Sequence, residues 1–379
     1  MAAKEMQLED RTRGINAVPN DDEVISLGTL IKRRFLRNKL AIVSGIVIII
    51  LYLGAIFAEF VAPHGLNVDH PEYAYMPPQR LRFVDAEGNF HWRPFVYDMK
   101  KGYDEETWEL IYTEDTSKMH PLRLFVRGDR YKLWGLWESD LHLFGVEGGY
   151  FFPLGTDRFG RDQLTNVIYG SRVSLTIGLL GVIMSITIGS IMGAISGYYG
   201  GWVDMVIQRV IELLRSFPRL PLWMALSAAI PLTWSPLKVY FGIVTLLAFI
   251  DWTGLAREVR AKVLSYREEA YVLASKSLGA SDAWTILTHV IPNTASHILV
   301  VGTLALPGMI LGESTLSFLG LGIQPPMTSW GVLLQEAQNV QTLQTYPWLL
   351  IPGLFIMITV LAFNFLGDGV RDAIDPYSD

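Results

Sequence analysis

Hydrophobic and polar positions are strongly segregated along the chain, with long apolar runs alternating with charge-rich segments. A helix that crosses the hydrocarbon core of a bilayer needs about 20 mostly apolar residues. Six runs approach that length, and we predict a membrane-spanning helix in each. They are residues 40–58, 173–195, 220–237, 239–255, 294–312 and 346–367. Prolines interrupt the third run, and the fourth contains Asp251.

Basic residues are concentrated beside two of these runs. One group precedes the first span and another lies between the fourth and fifth spans: Lys32, Arg33, Arg34, Arg37, Lys39, then Arg257, Arg260, Lys262, Arg267, Lys276. Because Lys and Arg favour cytoplasmic loops, both segments are predicted to be cytoplasmic. An even number of spans then places both termini in the cytoplasm. The first run lacks a signal-peptide cleavage site behind it, so we expect it to be retained.

The segment just before the first span has an amphipathic pattern. In residues 26–40, Leu27, Leu30, Ile31, Phe35 and Leu36 are interleaved with bases. Such a segment is typical of a helix lying on the membrane surface. The alternative is that it extends the first span.

The long segment between the first two spans has the composition of β-structure. Strand-like runs at 81–84 and 90–96 flank a turn-like segment at 85–89, and runs at 122–126 and 131–134 flank the turn-like residues 127–130. Both arrangements are typical of hairpins. We therefore predict a small β-rich cap outside the membrane.

The composition excludes several kinds of binding and catalytic site. Half of the residues are hydrophobic and 18% are charged, fewer than the about 25% of an average soluble protein. The absence of cysteine excludes thiolate metal sites and thiol nucleophiles, and the net charge of −6 disfavours a nucleic-acid partner. No metal site is predicted, because the histidines of the cap lack ligand spacing. The sequence contains no Gly-x4-Gly-Lys-Ser/Thr phosphate loop, so we do not expect the chain to bind ATP by that device.

A short polar segment after the fourth span predicts an exposed helix. Glu268 and Glu269 suit the positive end of a helix dipole, and Lys276 suits the negative end. Gly279 stands where a glycine commonly ends a helix. Tyr271 and Leu273 add an apolar contact surface.

This segment resembles the glutamate-alanine-alanine loop of binding-protein-dependent ABC importers, with Tyr271 in place of the second alanine. The resemblance implies that the helix couples the chain to an ATPase subunit. The residues implied are Glu268, Glu269, Ala270, Tyr271, Ala274, Leu278, Gly279 and Ala280, supported by His289, Pro292 and Asn293.

Other motifs resemble the C-type permease of oligopeptide, dipeptide and nickel importers. They include Leu154-Gly155-Thr156-Asp157, Gly160-Arg161-Asp162, Gly197-Tyr198-Tyr199-Gly200-Gly201 and Ser317-Phe318-Leu319-Gly320-Leu321-Gly322. The resemblance covers roughly residues 26–62 and 150–377 and leaves out the cap, which is longer than the family's usual loop.

The fold implied is a mainly α, integral-membrane protein. It has a type I ABC importer permease core of six transmembrane helices and a small β-rich extracytoplasmic cap between the first two spans. The expected divisions are a cytoplasmic tail with the amphipathic helix (1–38), the first transmembrane helix (39–61), the cap (62–171), the permease core (172–370) with its coupling helix (268–281), and a cytoplasmic tail (371–379).

The function implied is that of a permease subunit forming half of a translocation path for peptides, with oligosaccharides and nickel chelates left open as cargo. The expected partners are a second homologous permease, two ATPase subunits and an extracytoplasmic solute-binding protein, in a bacterial or archaeal inner membrane. ATP and Mg²⁺ would be bound by the ATPase subunits. No cofactor and no catalytic residue is expected in this chain.

Four residues are candidates for the pathway. Asp251 lies inside a predicted span, where it either lines the path or pairs with Arg215 or Arg219. Glu313, Gln324 and Trp330 either shape the mouth of the path or belong to a turn that closes two helices. The alternative function is an ion-coupled secondary carrier using Asp251. A membrane hydrolase is disfavoured, since neither a His-Glu-x-x-His nor a Gly-x-Ser-x-Gly motif occurs.

Overall fold

The computed structural model describes residues 27–66, 68–106, 108, 110–231 and 233–374. The predicted tails therefore lie partly outside the described residues, at 1–26 and 375–379. The α-helices are α1 (Leu27–Phe35), α2 (Lys39–Ile56), α3 (Ala58–Val61), α4 (Gln163–Tyr199), α5 (Gly201–Ser216), α6 (Arg219–Ala228), α7 (Pro236–Tyr266), α8 (Ala270–Ser277), α9 (Asp282–Thr285), α10 (Ile291–Phe318), α11 (Trp330–Leu334), α12 (Val340–Thr345) and α13 (Ile351–Ile374). A π-helical turn (Ile286–Val290) joins α9 to α10, and short 3-10 turns lie at Pro71–Tyr73, Gln335–Gln338 and Pro347–Leu350.

Within the described residues, five helices are long and apolar enough to cross a membrane. They are Lys39–Ile56, Gln163–Tyr199, Pro236–Tyr266, Asp282–Phe318 and Pro347–Ile374. Each contains or overlaps one predicted span, including the fourth, in which Asp251 lies.

The predicted third span, 220–237, is wrong as a single helix. Within those residues α6 ends at Ala228, and α7 begins only at Pro236. α6 is separated from the preceding α5 by Phe217, which is extended (φ −87°, ψ 139°). Pro218 follows directly, and a proline both lacks an amide hydrogen and disfavours a helical conformation in the preceding residue.

The geometry of α4 and α7 nevertheless requires a sixth passage. Tyr240 Oη, near the start of α7, donates to Thr176 Oγ1 in the first half of α4 (2.9 Å), and Gly197 lies against Arg260 near the ends of both helices. The two helices therefore run parallel. The chain between them has to return from one end of the bundle to the other, and α5 and α6 together make that return.

The surface-helix prediction for the N-terminal segment is supported by a break before the first span. α1 ends at Phe35, and α2 starts at Lys39. Asn38 caps α2 by accepting a hydrogen bond from the amide of Ala41 (3.1 Å). The alternative of one continuous helix is wrong.

The segment between α3 and α4 carries an antiparallel sheet of four strands in the order β1-β2-β3-β4. The strands are β1 (Arg82–Val84), β2 (Phe90–Tyr103), β3 (Leu110–Leu133) and β4 (Trp137–Val146). We call this sheet the cap, and we call the end of the helix bundle beside it the cap side. The first predicted hairpin is confirmed, since Val84 pairs with Phe90 across the predicted turn.

The second predicted hairpin is wrong in its turn. Arg127-Gly128-Asp129-Arg130 does not reverse the chain. It lies inside β3, where the register with β4 shifts between Arg127 and Tyr131. The carboxylate of Asp129 accepts a hydrogen bond from the amide of Gly65 (3.0 Å), so this turn-like composition serves a bulge. Leu133 pairs with Trp137, so the chain reverses at the residues between them.

Candidate functional site

The helix predicted to couple the chain to an ATPase subunit is present as α8, at the end of the bundle opposite the cap. Glu269 precedes its first residue in an extended conformation (φ −68°, ψ 145°) and caps it through its backbone. At the other end, the amide of Gly279 donates to Lys276 O (2.9 Å) and the amide of Ala280 donates to Ser275 O (3.2 Å). These two bonds form a Schellman motif, for which Gly279 supplies the required positive φ of +83°.

One side of α8 is attached to the ends of the long helices. Val272 is fully buried, and Ser275 Oγ lies 3.3 Å from Thr285 Oγ1. The ammonium group of Lys276 lies over the ring of Tyr198 at the end of α4, 4.3 Å from its centroid. Tyr198 Oη in turn donates to Asp282 Oδ1 (2.8 Å). α8 is therefore fixed to both α4 and α9.

The other side of α8 is exposed and apolar. Leu278 has 89% of its surface accessible, and Tyr271 and Leu273 are also exposed. A cavity of about 660 Å³ lies beside this side. Its lining includes Tyr271, Ala274, Leu278, Gly279, Ala280, Trp284 and His289. Exposed apolar surface at a helix held this firmly is typical of a protein-binding site.

The supporting residues connect α8 to α10. Asn293 Nδ2 donates to His289 O (2.6 Å) and to Tyr271 Oη (3.3 Å). His289 lies in the π-helical turn, and its ring contacts those of Tyr271 and Trp284. Pro292, which has no amide hydrogen to donate, follows that turn at the start of α10.

Near the end of the bundle that carries α8 lies an ion pair that the sequence did not predict. Arg260 of α7 donates from Nε and Nη2 to the two carboxylate oxygens of Asp204 on α5, at 2.6 and 2.5 Å. Ser196 Oγ also donates to Asp204 Oδ1 (2.5 Å). Two parallel bonds between a guanidinium and a carboxylate give a strong, directional contact. The returning passage is thereby attached to α4 and α7 close to α8.

The predicted pathway residues do not form one cluster on an open surface. Asp251 is ion-paired with Arg219, one of the two arginines named as alternatives. Glu313 is completely buried and accepts hydrogen bonds from Ser317 Oγ (2.7 Å) and Ser174 Oγ (3.1 Å). Trp330 is also buried, and its indole donates to Val167 O (3.0 Å). Gln324 is exposed. A pathway role for these residues stays a prediction.

A further cavity, with a volume of about 830 Å³, is on the cap side. It lies between the start of α4 and the segment that connects α10 to α13. Charged residues on both walls are joined by an ion pair, with Arg158 Nε 3.0 Å from Glu336 Oε1.

Glu336 makes the stability of this region depend on pH. Burial, reinforced by the nearby Asp157 carboxylate, raises the pKa of Glu336 to about 7, against the opposing effect of Arg158. A carboxyl group whose pKa is raised in the folded chain stabilises the fold below its ordinary pKa of 4.5, and this contribution is lost as the pH rises through about 7. The shift corresponds to at most about 3 kcal/mol.

We therefore expect Glu336→Gln to remove part of the decline in thermal stability between about pH 4.5 and pH 7. Unfolding temperatures of the purified wild-type and Glu336→Gln chains in detergent, measured across this pH range, would test the prediction. Glu138→Gln, which alters an exposed carboxylate of the cap, is the control and should retain the wild-type slope. Identical slopes for wild type and Glu336→Gln would contradict the assignment.

Two family models match the chain. Residues 185–377 match the model described as a binding-protein-dependent transport system inner membrane component. Residues 26–78 match the N-terminal TM domain of oligopeptide transport permease C. The two matches lie on either side of the cap.

Curated relatives agree with these matches. The oligopeptide transport system permease protein OppC of Haemophilus influenzae is 44% identical over 232 residues, which are 61% of this chain and 71% of that protein. The dipeptide transport system permease protein DppC of Lactococcus lactis subsp. cremoris is 33% identical over 350 residues, or 91% of this chain and 89% of that protein. The second alignment is long enough to include most of the residues between the first two spans, so that protein has a corresponding segment. The chain belongs to the family of binding-protein-dependent transport system inner membrane components, the membrane permeases of ABC importers.

Proposed function

We propose that this chain is the permease subunit of an ATP-driven importer of peptides and that α8 docks on an ATPase subunit. The observation that carries the proposal is a short helix with an exposed apolar side, fixed by Val272 and Lys276 to the ends of the long helices. Because those contacts are tight, a displacement of α8 by a bound ATPase subunit would be transmitted to α4 and α9. A helix in a loose loop would not transmit it.

The distribution of positive charge supports an orientation with the cap outside the cell. The basic residues preceding α2 and those at the end of α7 lie at the same end of the bundle, opposite the cap. Lys and Arg favour the cytoplasmic side, so this end would face the cytoplasm and α8 would meet the ATPase subunits there. Both chain termini would then be cytoplasmic.

Peptides are the proposed cargo because the relatives carry peptide names, oligopeptide for the Haemophilus influenzae protein and dipeptide for the Lactococcus lactis protein. The remaining partners proposed are a second permease, a second ATPase subunit and an extracytoplasmic solute-binding protein. ATP and Mg²⁺ would belong to the ATPase subunits, consistent with the lack of a phosphate loop in this sequence. Transport, rather than catalysis, would be the activity of this chain.

The ion-coupled carrier is the less favoured function. Its proposed centre, Asp251, is paired with Arg219, and a paired carboxylate is an ordinary way to keep an acid within a membrane-spanning helix. This pairing gives Asp251 a structural explanation without cargo or ion.

Affinity purification of the tagged full-length chain in mild detergent would test the proposal. We expect a second permease and ATPase subunits to accompany it, and ATP hydrolysis by the assembly to rise when binding protein and peptide are added. Recovery of the chain alone, monodisperse and active in ion-driven uptake, would overturn the importer and favour the carrier.

A further inference from the structure

The turn between β3 and β4 carries large apolar side chains with no cover in the described chain. Leu136, Trp137 and Trp134 have 71%, 59% and 47% of their surfaces exposed, and the two indole rings lie 5.8 Å apart. We call residues Trp134, Gly135, Leu136 and Trp137 the hairpin tip. Exposed apolar residues grouped at one end of a strand pair mark an interaction surface.

The hairpin tip lies at the level where the first span ends. Trp134 Nε1 donates to the carbonyl oxygen of Ile56, the last residue of α2 (2.7 Å), and the Trp134 ring lies 5.6 Å from that of Phe57. Arg172 donates to the carbonyl oxygens of Ala55 (2.9 Å) and Ile56 (3.2 Å). The same guanidinium pairs with Glu59 (2.7 Å). Such a charged pair belongs at the edge of the hydrocarbon core rather than within it.

Contacts further along the chain give the direction of the hairpin. A ring nitrogen of His142 lies 2.5 Å from Ala62 O, and the Asp129 carboxylate accepts from the amide of Gly65 (3.0 Å). Where the chain leaves α2, Ile56 meets the turn itself, whereas Ala62 and Gly65 meet strand residues that lie away from the turn. The hairpin tip points towards the membrane.

The surface below the hairpin tip is the exposed face of α2. That face is aliphatic along much of the helix and comprises Ile46, Ile49, Ile50, Leu53 and Ile56. Trp134 is bonded to the last of these residues, so the hairpin tip continues the same apolar face beyond the end of the span. Lys132 and Glu138, paired with each other at 3.2 Å, stand directly behind it.

We propose that the hairpin tip is a membrane anchor of the cap, inserted into the interfacial layer of the lipid leaflet on the cap side. Tryptophan is enriched at this layer because its ring is largely apolar while its N–H is polar. Leu136 and Trp137 would contact the upper acyl chains, and Lys132 would remain among the headgroups. The cap would then be held to the bilayer directly, in addition to its covalent connections to α3 and α4.

The chain contains no cysteine, so a single introduced cysteine can be labelled without background. Leu136→Cys would carry a nitroxide at the hairpin tip. Tyr103→Cys is the matched control, since Tyr103 is also exposed (59%) but pairs with Leu110 at the opposite end of β3. Ile49→Cys on the exposed face of α2 is the lipid standard. The full-length chain, with the subunits that purify with it, would be reconstituted into vesicles of phosphatidylcholine and phosphatidylglycerol.

Collisional access to oxygen, which partitions into lipid, would be compared with access to a water-soluble nickel chelate. We expect the oxygen-to-nickel ratio at position 136 to exceed that at position 103 several-fold and to lie between it and the higher ratio at position 49, which is near the middle of α2. A ratio at position 136 equal to that at position 103 would overturn the proposal. Protection of position 136 from both reagents would also overturn it, because a protein partner would then cover the hairpin tip.

Discussion

Gly193→Val is expected to remove nearly all correctly folded chain from the membrane. A Cβ atom at Gly193 would lie 2.5 Å from the carbonyl oxygen of Ala256 and 2.9 Å from Val259 Cβ. Backbone cannot move aside as a flexible side chain can, so α4 and α7 would have to separate. Even one methylene too many in a packed core costs about 1–3 kcal/mol, and valine adds three carbon atoms.

The effect should be graded and specific to this contact. Gly193→Ala is expected to give an intermediate yield, and Gly54→Val a nearly wild-type one, because a Cβ at Gly54 meets nothing within 4 Å. The measurement is the monodisperse fraction of a fluorescent fusion after detergent extraction. If Gly193→Val were as monodisperse as wild type, the close approach of α4 and α7 would be refuted.

The second large effect is expected at the end of α8. Gly279→Pro should uncouple ATP hydrolysis from uptake, because proline cannot adopt the φ of +83° found there and has no amide to donate to Lys276 O. If α8 is a central contact worth about 2 kcal/mol or more, uptake should fall by more than about tenfold. The measurement is peptide uptake and ATP hydrolysis by the reconstituted assembly.

Glu269→Lys tests the coupling role of α8 without disturbing the fold of this helix. The Glu269 side chain makes no capping hydrogen bond to the helix, so its replacement leaves the internal bonds of α8 intact and reverses a charge near an exposed surface. We expect lower uptake at normal expression. Glu147→Lys is the control, since it changes an exposed acid of the cap in a surface pair with Arg123, a kind of pair that contributes little. Wild-type uptake with both Gly279→Pro and Glu269→Lys would refute the coupling role of α8.

Local pattern was sufficient to predict much of the fold. Apolar runs identified five of the long helices, and the acids, the lysine and Gly279 predicted the short helix that is present as α8. The third span failed because apolar composition does not reveal where a helix breaks. Inside the predicted run α6 ends at Ala228 and the next helix begins at Pro236, and Pro218, two residues before the run, separates α6 from α5. The Arg127–Arg130 turn failed because the same residue types also suit a bulge within a long strand.

The long-range contacts had no local signal. Asp204 and Arg260 are 56 residues apart, and Glu59 and Arg172 are 113 apart. In the sequence each of these four residues is an ordinary charged residue beside an apolar run. Only the packing of the helices brings the two members of each pair together. Glu313 was selected because it precedes the motif of residues 317–322 at the outer end of the fifth predicted span, but its serine partners on α4 and α10 were not predictable. The coupling and pathway roles of these residues remain predictions.

The parallel arrangement of α4 and α7 also has a consequence for biosynthesis. Gly189 packs against Trp252, which leaves the ribosome about sixty residues later, or several seconds at ordinary rates of translation. During that interval α4 is already made, and its row of glycines, Gly189, Gly193 and Gly197, has no partner. The nascent chain must thread α5 and α6 back across the bilayer before this row can be covered. A pause in translation between α4 and α7 would therefore prolong the time for which this glycine face of α4 can associate with other newly inserted proteins.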